Sequence, residues 1–226
     1  MVSIIIPACN EGERIRSVIS NLLRLPEINE IIVACNGCTD DTPEIAESMN
    51  VSVLRLKEKD KGRAVIEGFK AATSDVIGFV DADGAFDSKS VKMVLGELQG
   101  CDVVIASKWK GQSFRSVHGS TGRKFAGRIW NLLTNLLFGL NIADTQAGLK
   151  VMRKSVFDKI DTNFICTGFA FDVELLYKLK KAGGRIKEIY VPVQHSTNKS
   201  SFNILRAPGM LERILKLWLY EKIKRR

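Results

Sequence analysis

Val76-Ile77-Gly78-Phe79-Val80-Asp81-Ala82-Asp83 is the stretch that decides the fold. Five uncharged residues read as a buried strand, and the two carboxylates mark where it leaves the core. Similar apolar runs occupy residues 2–7, 31–34, 51–54 and 103–106. Helical patterns at 13–25, 42–49, 64–72 and 88–98 separate them, and Asp87-Ser88 offers a cap for the last. This alternation predicts a Rossmann-like α/β fold, a mostly parallel sheet with helices on both faces. In such sheets ligands bind beyond the carboxyl ends of the strands. Three polar clusters are expected there: Pro7-Ala8-Cys9-Asn10-Glu11-Gly12, Cys35-Asn36-Gly37-Cys38-Thr39-Asp40-Asp41-Thr42, and Asp81-Ala82-Asp83.

The second half is less regular. A polar loop at 108–120 leads into a helix at about 123–137, a short strand at 149–152 and a helix at 171–182 that Gly183-Gly184 ends. A strand over 185–193, a polar loop at 194–201 and a final helix from about 210 to the C-terminus complete the chain. We read residues 1–200 as one α/β domain and 201–226 as an amphipathic appendage.

Composition narrows the class. Of 226 residues, 45% are hydrophobic and 26% charged, which excludes disordered, collagen-like and disulfide-scaffold chains. The net charge of +9 is split unevenly: residues 1–107 carry 11 basic and 17 acidic side chains, a net of −6, and residues 108–226 carry 23 and 8, a net of +15. The basic half is expected to meet something anionic, whether phosphate, nucleic acid or membrane. Five widely spaced cysteines suit a reducing compartment rather than a disulfide framework. The start, Met1-Val2-Ser3-Ile4, offers no signal peptide. The 15 uncharged residues between Arg128 and Asp144 are too few and too polar to span a bilayer. The expected location is cytoplasmic, peripheral at the cytoplasmic face of a membrane.

Asp81-x-Asp83, at the end of an apolar strand, can aim both carboxylates at one hard cation, Mg2+ or Mn2+, bridging a nucleotide diphosphate. Exposed loop carboxylates are the alternative. Lys61-Gly62-Arg63 opens a helix where anions are favoured, although a solvated helix start has the same pattern. Cys35-x-x-Cys38 has no second Cys/His pair and makes no closed zinc site.

Five motifs in order resemble family 2 glycosyltransferases of the GT-A fold that make polyprenyl-phosphate sugars. They are Pro7-Ala8-x-Asn10-Glu11, Lys61-Gly62-x-Ala64-Val65, Asp81-Ala82-Asp83, Asp144-Thr145-Gln146-Ala147-Gly148-Leu149-Lys150 and Ala170-Phe171-Asp172-Val173-Glu174-Leu175-Leu176. Within that group the chain looks most like dolichyl-phosphate glucosyltransferases. The resemblance covers about residues 2–195. It implies that Pro7, Ala8 and Glu11 hold the nucleoside and that Lys61 lies near the nucleotide, and Asn10, Asn36 and Arg63 are further nucleotide-binding candidates. Asp81 and Asp83 would bind the metal–diphosphate, and Asp144 and Gln146 would lie near donor sugar and acceptor. The chain departs from the family where Cys35-Asn36-Gly37-Cys38 replaces Asp-Asp-Gly-Ser, which removes a carboxylate that helps to read the base. Arg63 replaces a customary glycine, Ala85 a polar metal ligand and Lys108 an arginine.

A lipid phosphate is already anionic near neutral pH, so it needs neutralisation and alignment rather than a strong base. Lys108, Arg115, Arg123, Lys124 and Arg128 are the candidate cations. The resemblance implies a single inverting displacement, and with only His118 and His195 present no nucleophilic triad competes. In the last helix Leu211, Ile214, Leu215, Trp218 and Leu219 follow helical spacing, and six basic residues face two glutamates from Leu211 onward. This reads as a membrane-interfacial helix, the alternative being a helix docked on the core. The expected partners are a nucleotide sugar, a dolichyl or polyprenyl phosphate, a membrane surface and a membrane protein or second copy, without nucleic acid. A soluble or polysaccharide acceptor, or a non-catalytic protein that binds anionic membrane or nucleic acid, stays open. So do the sugar and the base, with uridine favoured.

Overall fold

The computed structural model of the chain describes residues 1–117, 119–194 and 207–224. His118, His195 and the expected boundary at residue 200 lie outside the described residues. Among the described residues seven strands form one sheet: β1 Val2–Ala8, β2 Ile28–Asn36, β3 Ser52–Leu56, β4 Val76–Val80, β5 Val103–Ser107, β6 Leu149–Arg153 and β7 Ile186–Tyr190. Their spatial order is β3-β2-β1-β4-β6-β5-β7. Every pairing is parallel except the two made by β6, which runs against both β4 and β5. The expected mostly parallel α/β sheet is what forms.

Side chains of β1 alternate between two cores. Ile5 packs on one side, Ile4 and Ile6 on the other, and all three are fully buried. On the face of Ile4 and Ile6 lie α1 (Gly12–Leu22), α2 (Thr42–Glu47) and α4 (Ser88–Gly96). The opposite face is covered by α3 (Lys61–Ala71), α5 (Thr121–Phe138), α7 (Phe171–Lys181) and α8 (Ala207–Lys224). A one-turn helix, α6 (Lys154–Phe157), and a 3-10 turn, Gly168–Ala170, carried no sequence signal. Caps fix the entries: Asp60 accepts from the Gly62 and Arg63 amides to start α3, and Asp87 accepts from Ser90 to start α4. Gly139, at φ +62°, takes the left-handed conformation that closes α5.

The last helix docks on α5 and α7. Its buried face is Met210, Ile214, Leu217 and Glu221, not the stripe read from the sequence. Ile214 belongs to both sets, whereas Leu211, Leu215 and Leu219 stay exposed. Glu221 makes the difference, because its carboxylate accepts from Tyr177 Oη at 2.9 Å and pairs with Lys181 at 2.6 Å. Among the described residues no helix is long and apolar enough to cross a membrane.

Candidate functional site

The carboxyl ends of β1, β2 and β4 open onto a cavity of about 620 Å³. Pro7, Cys9 and Glu11 line it from β1 and its turn, Asn36 from β2, and Asp81 and Asp83 from the end of β4. Lys59 lines it from the loop before α3, Lys61 from the first residue of α3, Phe169 from the 3-10 turn, and Met210 and Arg213 from α8. A second cavity of about 380 Å³ lies beside it, lined by Lys108, Trp109, Arg123, Lys124, Asp144 and Gln146 among others. Asp81, Asp83, Phe169 and Met210 belong to both walls.

The reversal of β6 delivers the Asp144–Gly148 motif to this edge. A strand running against its neighbours begins where they end, so the residues just before β6 arrive beside Asp81. The Asp81 amide donates to the Gly148 carbonyl at 2.8 Å. A β-carbon at Gly148 would collide with the Asp81 carboxylate, so only glycine fits.

The loop ahead of Gly148 is clamped from two sides. Asn131 on α5 donates to the Ala143 carbonyl at 2.6 Å and accepts from the Thr145 amide at 3.1 Å. Glu188 on β7 accepts from the amides of Ala143 and Asp144 at 3.0 and 2.8 Å. Asn131, and Asn135 through its bonds to Ile142, are therefore anchors rather than interruptions of the 129–143 stretch. Burial pushes the Asp144 carboxyl up against the pull of Lys108 and Lys150. Gln146 donates to the Phe169 carbonyl at 3.2 Å, tying the motif to the 3-10 turn.

Behind Asp81 lies a row of alternating charges. Lys61 Nζ sits 2.7 Å from Asp81 Oδ1 and 3.8 Å from Asp172 Oδ2. Lys150, fully buried as the second residue of β6, pairs with Asp172 Oδ1 at 2.6 Å and donates to the Ala147 carbonyl at 2.6 Å. Burial alone would lower Lys61, but Asp81 and Asp172 raise it well above the ordinary lysine range. Burial raises Asp81, with Lys61 pulling the other way and Asp83 adding to the rise. Although Asp81 Oδ1 is in ion-pair contact with Lys61, it accepts no aligned hydrogen bond. At the turn of β1 burial likewise raises Glu11, opposed by Arg14, whose Nε donates to it at 2.8 Å.

Asp81 and Asp83 are the residues that can hold a divalent cation. Among the described residues no group of three or more His, Cys, Asp or Glu side chains forms a closed metal cage. Two carboxylates lining a cavity of about 620 Å³ suit Mg2+ or Mn2+, which take remaining ligands from phosphate and water. The unaligned buried oxygen of Asp81 is consistent with that fit.

The structure gathers Pro7, Glu11, Asn36, Lys61, Asp81 and Asp83 around the first cavity, and Lys108, Arg123, Lys124, Asp144 and Gln146 around the second. It leaves others aside. Ala8 is buried, and its carbonyl accepts from Asn36 Nδ2 at 2.9 Å. Asn10, at φ +59°, fastens Thr39 by accepting from its amide at 2.8 Å. Arg63 points to Glu58 at 2.7 Å instead of the cavity. Arg115 is exposed and lines neither cavity, and Arg128 stacks over Trp109 at 5.3 Å. Sequence reasoning missed Lys59, Phe169 and Arg213, which share no motif with the strand ends they join.

The chain is similar to known glycosyltransferases in sequence and in fold. A family model, Glycosyl transferase family 2, matches residues 3–161. Glycosyltransferase AglD of Haloferax volcanii is 26% identical over 96% of this chain, and the chain spans 37% of its length. An undecaprenyl-phosphate mannosyltransferase of Micrococcus luteus is 28% identical over 82% of this chain and 80% of its own. A dolichyl-phosphate beta-glucosyltransferase of Drosophila melanogaster is 30% identical over 78% of this chain and 61% of its own. In fold the chain resembles glucosyl-3-phosphoglycerate synthase of Mycobacterium tuberculosis, solved with Mn2+, UDP and glucosyl-3-phosphoglycerate. That likeness has a TM-score of 0.72 at 21% identity, covering 96% of this chain and 79% of the other.

Proposed function

The chain belongs to glycosyl transferase family 2, and from that premise we propose that it transfers a sugar from a nucleotide donor, UDP-linked by preference, to a polyprenyl phosphate at a membrane surface. The observation that carries this reading is the meeting of two cavities at Asp81 and Asp83, with Lys108, Arg123 and Lys124 around the second. Relatives named for undecaprenyl-phosphate and dolichyl-phosphate transfer support the acceptor, and the UDP- and Mn2+-bound fold neighbour supports the donor and the cation.

In this reading the nucleoside diphosphate occupies the first cavity, against Pro7, Glu11 and Asn36, with Lys59, Lys61 and Arg213 near its charge. Asp81 and Asp83 hold Mg2+ or Mn2+, which when bound neutralises the leaving diphosphate. The acceptor phosphate enters the second cavity, where Lys108, Arg123 and Lys124 offset its charge and align one oxygen with the anomeric carbon. That oxygen forms the new glycosidic bond as the bond to the diphosphate breaks, inverting the centre. Because the phosphate is already ionised, Asp144 and Gln146 orient the acceptor and need not remove a proton.

The membrane surface is supported by exposed apolar side chains in helical register. Phe125, Ile129, Leu132 and Leu136 lie along α5, and Leu211, Leu215, Leu219 and Ile223 along α8, both helices carrying lysine or arginine. The test incubates purified protein with radiolabelled nucleotide sugars, polyprenyl phosphate and Mn2+. A lipid-linked product that Asp83→Ala abolishes is the expected result. Absence of that product, or transfer only to water-soluble acceptors, overturns the lipid reading.

A further inference from the structure

Asp172 lies outside both cavity walls, yet it is fully buried and its two oxygens are unequal. Oδ1 is held by Lys150 at 2.6 Å. Oδ2 accepts no hydrogen bond, although Lys61 Nζ stands only 3.8 Å away. Lys61 is meanwhile committed to Asp81, within 2.7 and 3.0 Å of its two oxygens. One ammonium group therefore faces two carboxylates, one engaged and one with an unused acceptor. The rings of Phe79 and Phe169 lie 5.2 and 5.8 Å from the same nitrogen and leave it a cation-tolerant position between them.

We propose that Lys61 has two seats, Asp81 when the cation site is empty and Asp172 when a divalent cation binds Asp81 and Asp83. This rests on the metal–nucleotide reading given above. A cation and an ammonium group compete for the same Asp81 oxygens, and like charges at that range repel. Leaving Asp81 with no new partner would strand a mostly buried charge. Asp172 Oδ2 removes that obstacle, because a displacement of about one ångström closes a hydrogen bond from the present 3.8 Å. Lys150 has its own task here: it holds the other Asp172 oxygen inside the core at 2.6 Å, so that only Oδ2 is left to receive Lys61. Asp172 and Lys150 are then positioning residues that set how readily the site exchanges its internal cation for an external one.

The two sides of the exchange respond in opposite directions. Lys61→Met removes the competitor and should tighten binding of Mn2+ alone by roughly tenfold or more. Asp172→Asn removes the second seat and should weaken it by a similar factor, a shift of about 1.4 kcal/mol for each tenfold change. Binding is read from the free Mn2+ signal in electron paramagnetic resonance, without turnover. Lys150→Met with Asp172→Leu, an apolar pair in place of a buried ion pair, supplies a folded comparison if the single variant unfolds, and it too should bind Mn2+ more weakly. Unchanged affinity in Lys61→Met, or in the folded Asp172 variants, overturns the two-seat proposal. If wild type binds neither Mn2+ nor UDP with Mn2+, the metal–nucleotide reading itself fails, and the two failures are thereby distinguished.

Discussion

Gly148 faces the Asp81 carboxylate with no room for a β-carbon, while its carbonyl accepts from the Asp81 amide at 2.8 Å. Two motifs 67 positions apart in the chain are thus one structural unit. Gly148→Ala must displace Asp81 or the strand beneath it. Such overpacking costs about 1–3 kcal/mol. We expect UDP affinity in the presence of Mn2+ to fall at least tenfold by calorimetry, alongside a lower melting temperature. A variant that melts earlier but binds normally would show that Asp81 is free to adjust.

Glu174, fully buried on α7, accepts from the amides of Ile165 and Cys166 at 2.9 and 2.6 Å and pairs with Lys178 at 2.9 Å. Glu174→Ala leaves the buried Cys166 amide and the part-buried Ile165 amide without their acceptor, a loss of about 3 kcal/mol. For a chain of this size the midpoint should drop by roughly 6–12 °C in differential scanning calorimetry. The Glu174→Gln variant recovers one acceptor and should fall between.

Asp144 gives a pH-dependent prediction. Burial raises its carboxyl above the ordinary 3.8 despite Lys108 and Lys150. The folded state therefore binds the proton more tightly than the unfolded one, and ionised Asp144 opposes folding above its raised value. Asp144→Asn keeps an acceptor for the Lys108 amide and removes that opposition. Its urea midpoint should exceed wild type at neutral pH, with the gain vanishing as pH falls to the ordinary carboxylate value. A gain that is constant across that range would exclude burial of charge as its cause.

Leu132 and Leu136 are 62% and 75% exposed on α5. Replacing both with glutamate should change stability by less than about 0.5 kcal/mol per site. In co-sedimentation with anionic vesicles the variant should lose most of its binding, while nucleotide affinity stays at the wild-type value. Equal sedimentation of variant and wild type would remove α5 from the membrane surface.

The strand–helix rhythm is local, carried by runs such as residues 76–80, and it was readable from the sequence. Strand direction is not local. Nothing in Leu149–Arg153 states that β6 runs backwards; that follows from where the neighbouring chain leaves room. Lys150 shows the same limit, because a lysine in a strand reads as facing solvent until Asp172 arrives from a helix 22 residues on. The site divides in the same way. Asp81, Asp83, Asp144 and Gln146 stand in contiguous motifs, whereas Lys59, Phe169 and Arg213 join the wall only through tertiary packing. Arg63 carries the opposite lesson, since a cation at a helix start was claimed by the nearer Glu58.

Four residues, Asp81, Asp83, Phe169 and Met210, are walls held in common by adjoining chambers. A common wall makes the two tenants interdependent. If donor and acceptor take the two chambers as proposed, widening one at Phe169 or Met210 reshapes the next, so tolerance for a new donor would not be selected there without disturbing the acceptor. Changes of preference that leave the other substrate untouched have to come from the outer walls, Asn36 and Lys59 on one side, Trp109 and Arg123 on the other.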